Sequence, residues 1–347
     1  MKLKVGIIIP PIAGHKNRGT GVYADKLYQS LKEKKAIDVT LVNHRDSLNK
    51  FDLIHYPYFD PFFLTLPLVK KRPTVVTVHD LIPLKFPQFF PQGLRGSFKW
   101  QMQKLSLKKS FAIITDSHVS KEDIVEFTGI KRGKIFVIYL GVGDEFRVIR
   151  PKDTLNRIRA KLKLPENFIL YVGDVNYNKN IGGLIKAFNI IKNTYPELNL
   201  VLIGNGFVTP SPQLSDVLDL ISSLKLGEYI FRLRHVNLGD LVCIYNLARI
   251  YLQPSFAEGF GLPVLEAMAC GIPVVVSNSS SLPEIVGNAG LLVDPHNVEQ
   301  IASSISAVHT NPKKREELIK KGLARVKQFS WEKCAEETVD IYKKIVN

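Results

Sequence analysis

Cysteine is scarce in this sequence: Cys243, Cys270 and Cys334 are odd in number, far apart, and form no Cys-x-x-Cys pair. That argues against a disulfide framework or a thiolate metal cluster and leaves reduced structural thiols and a cytoplasmic location as the expectation. The 8 histidines show no His-x-x-x-His spacing, so no metal centre is expected. Long apolar runs are missing too; stretches such as "FFLTLPLV" fall far short of the ~18 residues that a membrane-spanning helix needs. The start, "MKLKVGIIIPPIAG", resembles a signal peptide only superficially. Pro10 and Pro11 break its apolar stretch, and a charged loop follows where a cleavage site would stand. It reads as a first buried strand. Internal repeats and low-complexity tracts are also absent, which excludes solenoid architectures.

What remains is a globular composition, 45% hydrophobic and 23% charged, in a chain of 347 residues. That length suits two domains of roughly 150 residues each. The net charge of +15 is unevenly placed: residues 1–150 hold 25 Lys+Arg against 13 Asp+Glu, and residues 151–347 hold 22 against 19. An anionic partner is therefore expected on the first half.

Both halves alternate short apolar runs with amphipathic ones, the pattern of doubly wound α/β domains. Strands are expected at 4–9, 38–42, 52–56, 74–80, 111–117 and 134–142, then at 168–174, 198–206, within "YIFRLRHV", and at 248–255, 272–277 and 289–295. Helices fall between several of them. Ser120 with Asp123 gives an N-cap signal, and Gly129 a stop. A polar, basic stretch, "GDEFRVIRPKDTLNRIRAKLKLPEN", separates a first domain, 1–150, from a second, 151–330. Ligands are expected in a cleft at the carboxyl ends of both sets of strands.

Several loops at those ends hold polar chemistry. "GTGVYA" (19–24) matches Gly-x-Gly-x-x-Ala, but it does not follow the first strand directly and no acid ends the second strand. A dinucleotide site is therefore not expected; the loop either approaches a diphosphate or simply opens a helix. In "VGDVNYNKN", Lys179 is either a phosphate ligand or a solvated loop lysine. His79 ends a strand and is either a polar contact or structural. "GNG" (204–206) reads as a tight turn. The stretch "PSFAEGFGLPVLEAMACGIPVVVS" joins a strand end, a Gly loop, a helix with Pro263 at its first position and Gly271 just past its end, and another strand. Glu258 lies in the loop and Glu266 in the helix's first turn, beside amides suited to an anion. They could serve as an acid–base pair, an ion-pair set, or acceptors for hydroxyls.

Taken together, "VHDLIPLKFP", "ITDSHVSKEDI", "YVGDVNYNKNIGGLIKAF", "LARIYLQPS" and "SFAEGFGLPVLEAMACGIPVVVSNSSSLPEIVGNAGLLVDP" resemble, over nearly the whole chain, the retaining GT-B glycosyltransferases of the glycosyl transferases group 1 family. The resemblance implies two Rossmann-like domains facing a cleft, with a C-terminal helix, 331–347, crossing back to the first domain. It implies ribose binding by Glu266, and donor-sugar hydroxyls on Glu258, with Phe260, Gly261 and Leu262 offering backbone amides. Lys179 matches the family's diphosphate lysine, Gly19 and Gly21 its first-domain glycine loop, and His79 its donor-sugar histidine. Asp174 and Asn178 depart from the family, which often carries an arginine there; Arg18 or Arg232 would have to supply a second cation.

The activity implied is metal-independent transfer of a hexose from a nucleotide-diphosphate sugar to a saccharide or lipid-linked saccharide, in surface polysaccharide or glycolipid synthesis. Absence of Asp-x-Asp fits metal independence, and no cofactor is implied. "VHDLIPLKFP" resembles mannosyltransferase members most, which makes GDP-mannose the first donor expected. A degenerate scaffold that binds nucleotide sugar without transfer, or a nucleotide-sugar epimerase, are the alternatives.

Residues 81–115 contain Lys85, Arg95, Lys99, Lys104, Lys108 and Lys109 and no acid. Trp100, Lys104, Lys108 and Phe111 fall on one helical face by spacing. With its aromatics exposed, segment 85–111 would suit an anionic membrane surface; with them in the core it is a solvated helix. No motif supports nucleic acid.

Overall fold

The computed structural model describes residues 2–9, 19–43 and 46–346. The chain divides into two compact units, Met1–Gly141 with Phe329–Asn347, and Val142–Gln328.

The first unit is built on a sheet of six strands: β1 (Leu3–Ile8), β2 (Ile37–Val42), β3 (Leu53–Tyr56), β4 (Thr74–Thr77), β5 (Ala112–Thr115) and β6 (Ile135–Val137). Their order is β2-β1-β3-β4-β5-β6, with every neighbouring pair parallel. Every residue of β3, β4 and β5 is buried, as expected of parallel strands covered on both faces. Helices α1 (Gly19–Lys32), α2 (Ile82–Lys85), α3 (Gly93–Lys108) and α4 (His118–Thr128) connect them. On one face a core forms from Ile54, Tyr56, Val76, Val78, Trp100, Leu107 and Ile113. The other face carries a buried polar chain. Tyr23 Oη meets Thr77 Oγ1 at 2.9 Å, and His55 bridges Thr77 (2.8 Å) to Tyr342 Oη (2.6 Å) on the C-terminal helix, Trp331–Val346. That helix packs against α1, where Lys34 also reaches Glu336 at 2.9 Å. The break before it falls where the sequence reading put it, with the Ser330 hydroxyl accepting from Lys333 N.

The second unit has strands β7 (Phe168–Val172), β8 (Asn199–Ile203), β9 (Ile230–Leu233), β10 (Ile250–Gln253), β11 (Val274–Ser277) and β12 (Leu291–Val293). The order is β12-β11-β10-β7-β8-β9, again all parallel. Chain order reverses between β7 and β10, which makes the carboxyl ends of these two strands a topological switch point. The helices are α5 (Lys152–Leu162), α6 (Ile181–Thr194), α7 (Pro212–Ser223), α8 (Leu238–Leu247), α9 (Leu262–Ala269), α10 (Leu282–Val286), α11 (Val298–Thr310) and α12 (Pro312–Val326). Among the described residues no helix is long and apolar enough to cross a membrane. The expected α/β, doubly wound architecture is therefore present in both units.

Three local expectations need correction. The N-cap of α4 is Ser117, whose side chain accepts from Ser120 N; Ser120 lies within the first turn, and its hydroxyl donates to the His79 carbonyl. Helix α9 opens at Leu262, one residue ahead of Pro263, and Glu266 therefore lies beyond the first turn. Both leading positions tolerate proline because neither amide has an intrahelical partner. Finally, Trp100 is 9% exposed and packs in the core, while Phe111 follows the end of α3 and does not share its face. Helical spacing cannot be extended past Lys108, where the helix stops.

Candidate active site

The loop after β7 and the loop after β10 meet at the switch point of the second unit. Asn178 and Asn180 hold them together. Asn178 Nδ2 donates to Ala257 O at 2.9 Å, and the Asn178 carbonyl accepts from Phe256 N and Ala257 N. Asn180 takes a left-handed conformation, caps α6 by accepting from Gly183 N, and donates to the carbonyls of Pro254 and Pro295. With its two neighbours committed to the opposing loop, Lys179 is directed at Glu258, and its ammonium lies 2.7 Å from Oε2.

Glu258 is 7% exposed and densely partnered. Its Oε1 accepts from Gln253 Nε2 (2.6 Å) and Ser255 Oγ (2.7 Å), and Oε2 accepts from Lys179. Tyr251 Oη donates to Gln253 Oε1 at 2.6 Å and so fixes the amide's orientation. Ser280 Oγ accepts from Glu258 N and donates to its carbonyl. A carboxylate has about four lone-pair positions. Three are filled by these donors, which leaves room for one further hydrogen on Oε2. Lys179 retains two ammonium hydrogens for other acceptors. This suits hydroxyl and phosphate recognition better than proton shuttling, which needs a carboxyl group free to change partners.

Gly261 sits between Phe260 and α9. It caps the helix with φ +115°, and a Cβ there would come 2.7 Å from Leu282 Cδ2. Phe260 is buried, and its carbonyl lies 2.9 Å from Ser281 Oγ. Glycine thus allows the turn that brings the Leu262 amide and the positive end of the helix dipole to the end of β10; Pro263 has no amide hydrogen, and Val264 N donates to Gly261 O at 3.0 Å.

Glu266, half-buried on α9, accepts from Tyr245 Oη at 2.8 Å. Burial pushes its carboxyl up to about 7; the Tyr245 bond opposes this, and repulsion from Glu145 adds to it. The two glutamates therefore differ in kind, one holding three donors with one position open and the other, among the described residues, held by a single phenol.

The residues departing from the family pattern have structural work. Asn178 is the clamp just described. The Asp174 carbonyl accepts from Tyr171 Oη, while its side chain lies against the 205–207 turn, where a Cβ on Gly206 would be 3.1 Å from Oδ1. Arg232 is exposed and donates to Phe207 O of that same turn at 3.1 Å. The "GNG" turn is close-packed: a Cβ on Gly204 would be 1.9 Å from Gly173 O. Arg18 lies outside the described residues.

In the first unit, His79 follows β4, and its Nδ1 meets Asp116 Oδ2 at 2.6 Å, just after β5. Its Nε2 faces Pro57 O at 3.3 Å. Both ring nitrogens thus face acceptors, an arrangement that only the doubly protonated ring satisfies. Burial opposes the charged ring, but the Asp116 charge and hydrogen bond outweigh it and raise the pKa. The second Asp116 oxygen, Oδ1, is buried and has no partner among the described residues. Gly19 and Gly21 stand in the first turn of α1, rather than in a loop ahead of it. Sequence reasoning missed Asp116, Gln253, Ser255 and Tyr245. "ITDS" and "LQPS" put the first three at strand ends, but nothing in them names a partner.

The sequence pattern described as "Glycosyl transferases group 1" matches residues 154–325, and that of "Glycosyltransferase Family 4" matches residues 14–146. The chain is 34% identical, over 84% of its length and 75% of the relative's, to O-antigen chain mannosyltransferase B of Escherichia coli. It belongs to the glycosyl transferases group 1 family. A second relative, the serotype-specific mannosyltransferase WbdA of Escherichia coli, is 31% identical over 79% of this chain, which spans only 34% of WbdA. Among solved structures, HepE from Anabaena in complex with UDP-glucose superposes with a TM-score of 0.78 at 17% identity, covering 99% of this chain and 100% of that one. The fold of this glycosyltransferase is GT-B. In it, the Glu-x7-Glu pair stands at Glu258 and Glu266, eight positions apart on either side of the helix start.

Proposed function

We propose that this glycosyltransferase moves a mannosyl residue, with retention, from GDP-mannose to a saccharide or lipid-linked saccharide of an O-antigen-type polysaccharide. The observation behind the reading is the pair of unlike carboxylates flanking the head of α9. Glu258, with one open acceptor position, receives a donor-sugar hydroxyl. Glu266 receives the ribose hydroxyls, and Lys179 with the backbone amides of Phe260, Gly261 and Leu262 receives the diphosphate. For the first unit, the family resemblance alone assigns His79 a donor-sugar contact and Gly19 and Gly21 a place near the diphosphate. The two similar chains named as mannosyltransferases support mannose as the sugar.

In the reaction the bond from the anomeric carbon to the diphosphate oxygen breaks first, with Lys179 and the helix start stabilising the leaving charge. The acceptor hydroxyl then bonds to the same face of the sugar, and its proton passes to the departing phosphate. No residue is required as general base, and the leaving charge is met by a lysine and amides, so the reading includes metal independence. A panel of nucleotide sugars, incubated with chelator and scored for nucleotide release and product anomer, tests it. GDP-mannose is expected to turn over fastest and to give the α-linked product. A β-linked product, chelator-sensitive turnover or faster release from UDP-glucose would contradict it. Nucleotide binding with no release from any donor would favour the scaffold alternative.

A further inference from the structure

Helix α3 of the first unit has two apolar faces. One, built from Gly96, Trp100, Gln103 and Leu107, is buried against the unit. The other points away from it: Leu94 is 92% exposed, Phe98 67% and Leu105 57%. At about 100° per residue these three lie within a narrow stripe opposite the packed face. Arg95 and Lys99 border the stripe on one side, Lys104 and Lys108 on the other. Among the described residues no carboxylate pairs with any of these four cations, whereas Lys85 is bound to Asp123 at 2.8 Å.

Beside the helix runs the 62–70 loop, tied down by Gln103. That side chain is 1% exposed; it accepts from Thr65 N and Leu66 N and donates to Leu66 O. Ser106 adds a hydrogen bond to Pro67 O at 2.6 Å. Held this way, the loop exposes Phe63 (52%), Leu64 (57%) and Val69 (77%), with Lys99 Nζ 5.4 Å from the Phe63 ring centroid. The acid just ahead of the loop, Asp60, is turned to Tyr58 and to the amides of Phe62 and Phe63.

We infer that α3 and the 62–70 loop form a docking surface for an anionic lipid bilayer, with Leu94, Phe98 and Leu105 entering the headgroup–acyl boundary. The residues differ from those that the sequence spacing picked, since Trp100 faces inward. Charge complementarity selects the occupant. A second copy pairing through this stripe would bring the same four cations together. A nucleic acid would engage the cations but leave Leu94, Leu105 and Val69 in water. An anionic bilayer accepts both: the apolar stripe buries, and the flanking lysines extend their heads to lipid phosphates. The inference is independent of which donor sugar is used.

Flotation of the full chain with vesicles tests it. Binding is expected to mixed phosphatidylglycerol–phosphatidylcholine vesicles at about 0.1 M salt, with loss at about 1 M and on phosphatidylcholine alone. Leu94→Ser/Phe98→Ser/Leu105→Ser is expected to weaken partitioning by about tenfold or more, since those apolar groups no longer bury. Its melting temperature should match wild type, because the stripe touches no core. Lys99→Gln with Lys104→Gln should cost about fivefold per charge and flatten the salt dependence. An environment-sensitive dye on Phe98→Cys should shift to the blue on anionic vesicles. Failure of the wild type to float, equal flotation of the serine variant, or self-association abolished by that variant would each overturn the inference.

Discussion

Glu258 and Glu266 are the same residue type in one short segment, yet their surroundings give them opposite properties. Three donors hold Glu258, whereas Glu266, half-buried, has one phenol among the described residues. Burial lifts the Glu266 carboxyl from an ordinary 4.5 to about 7. Because the folded value is the higher one, the protonated form favours folding. That contribution is complete below the ordinary value and is lost as pH rises through about 7. If Glu266 meets the ribose hydroxyls as proposed, it accepts from them in its ionised form, so nucleotide affinity should change in the other direction. Between pH 6 and 8, the wild-type affinity for GDP, divided by that of Glu266→Gln, is expected to rise up to about tenfold. Calorimetric titration at several pH values checks this, and the ratio removes the nucleotide's own ionisation. A flat ratio would remove Glu266 from the ribose contact.

At the scale of elements, the alternation of apolar and amphipathic runs identified the twelve strands of the described residues, most clearly β3, β4, β5, β10 and β11, which are buried along their whole length. Pairings across the sheet were not legible in the same way. Asp116 and His79 are 37 residues apart in sequence, and only the adjacency of β4 and β5 brings them together. The second face of α3 escaped notice for a related reason: with apolar residues on opposite sides, spacing alone does not say which side packs. Gly261 was legible as a loop glycine, but its necessity comes from φ +115° and the nearness of Leu282. Gly261→Ala combines a left-handed backbone penalty with a clash, about 2–4 kcal/mol together. A drop in melting temperature of roughly 5–10 °C is expected by calorimetry. A change under about 1 °C would show that the α9 turn relaxes freely.

For the whole molecule, the charge imbalance and the two sheets mark a division of labour between the units. The second unit, nearly balanced in charge, builds the carboxylate and lysine cluster at its own switch point. The first holds most of the excess positive charge and, on α3, an apolar stripe bordered by cations. On the proposed reading, the two carboxylates of the second unit meet hydroxyls and do not act as an acid–base pair. Glu258→Gln tests it most directly, with turnover of GDP-mannose and affinity for GDP measured on the same preparation. Turnover is expected to fall about 100-fold or more, while GDP affinity stays within about threefold of wild type. Equal loss in both would contradict the division of roles between Glu258 and Glu266.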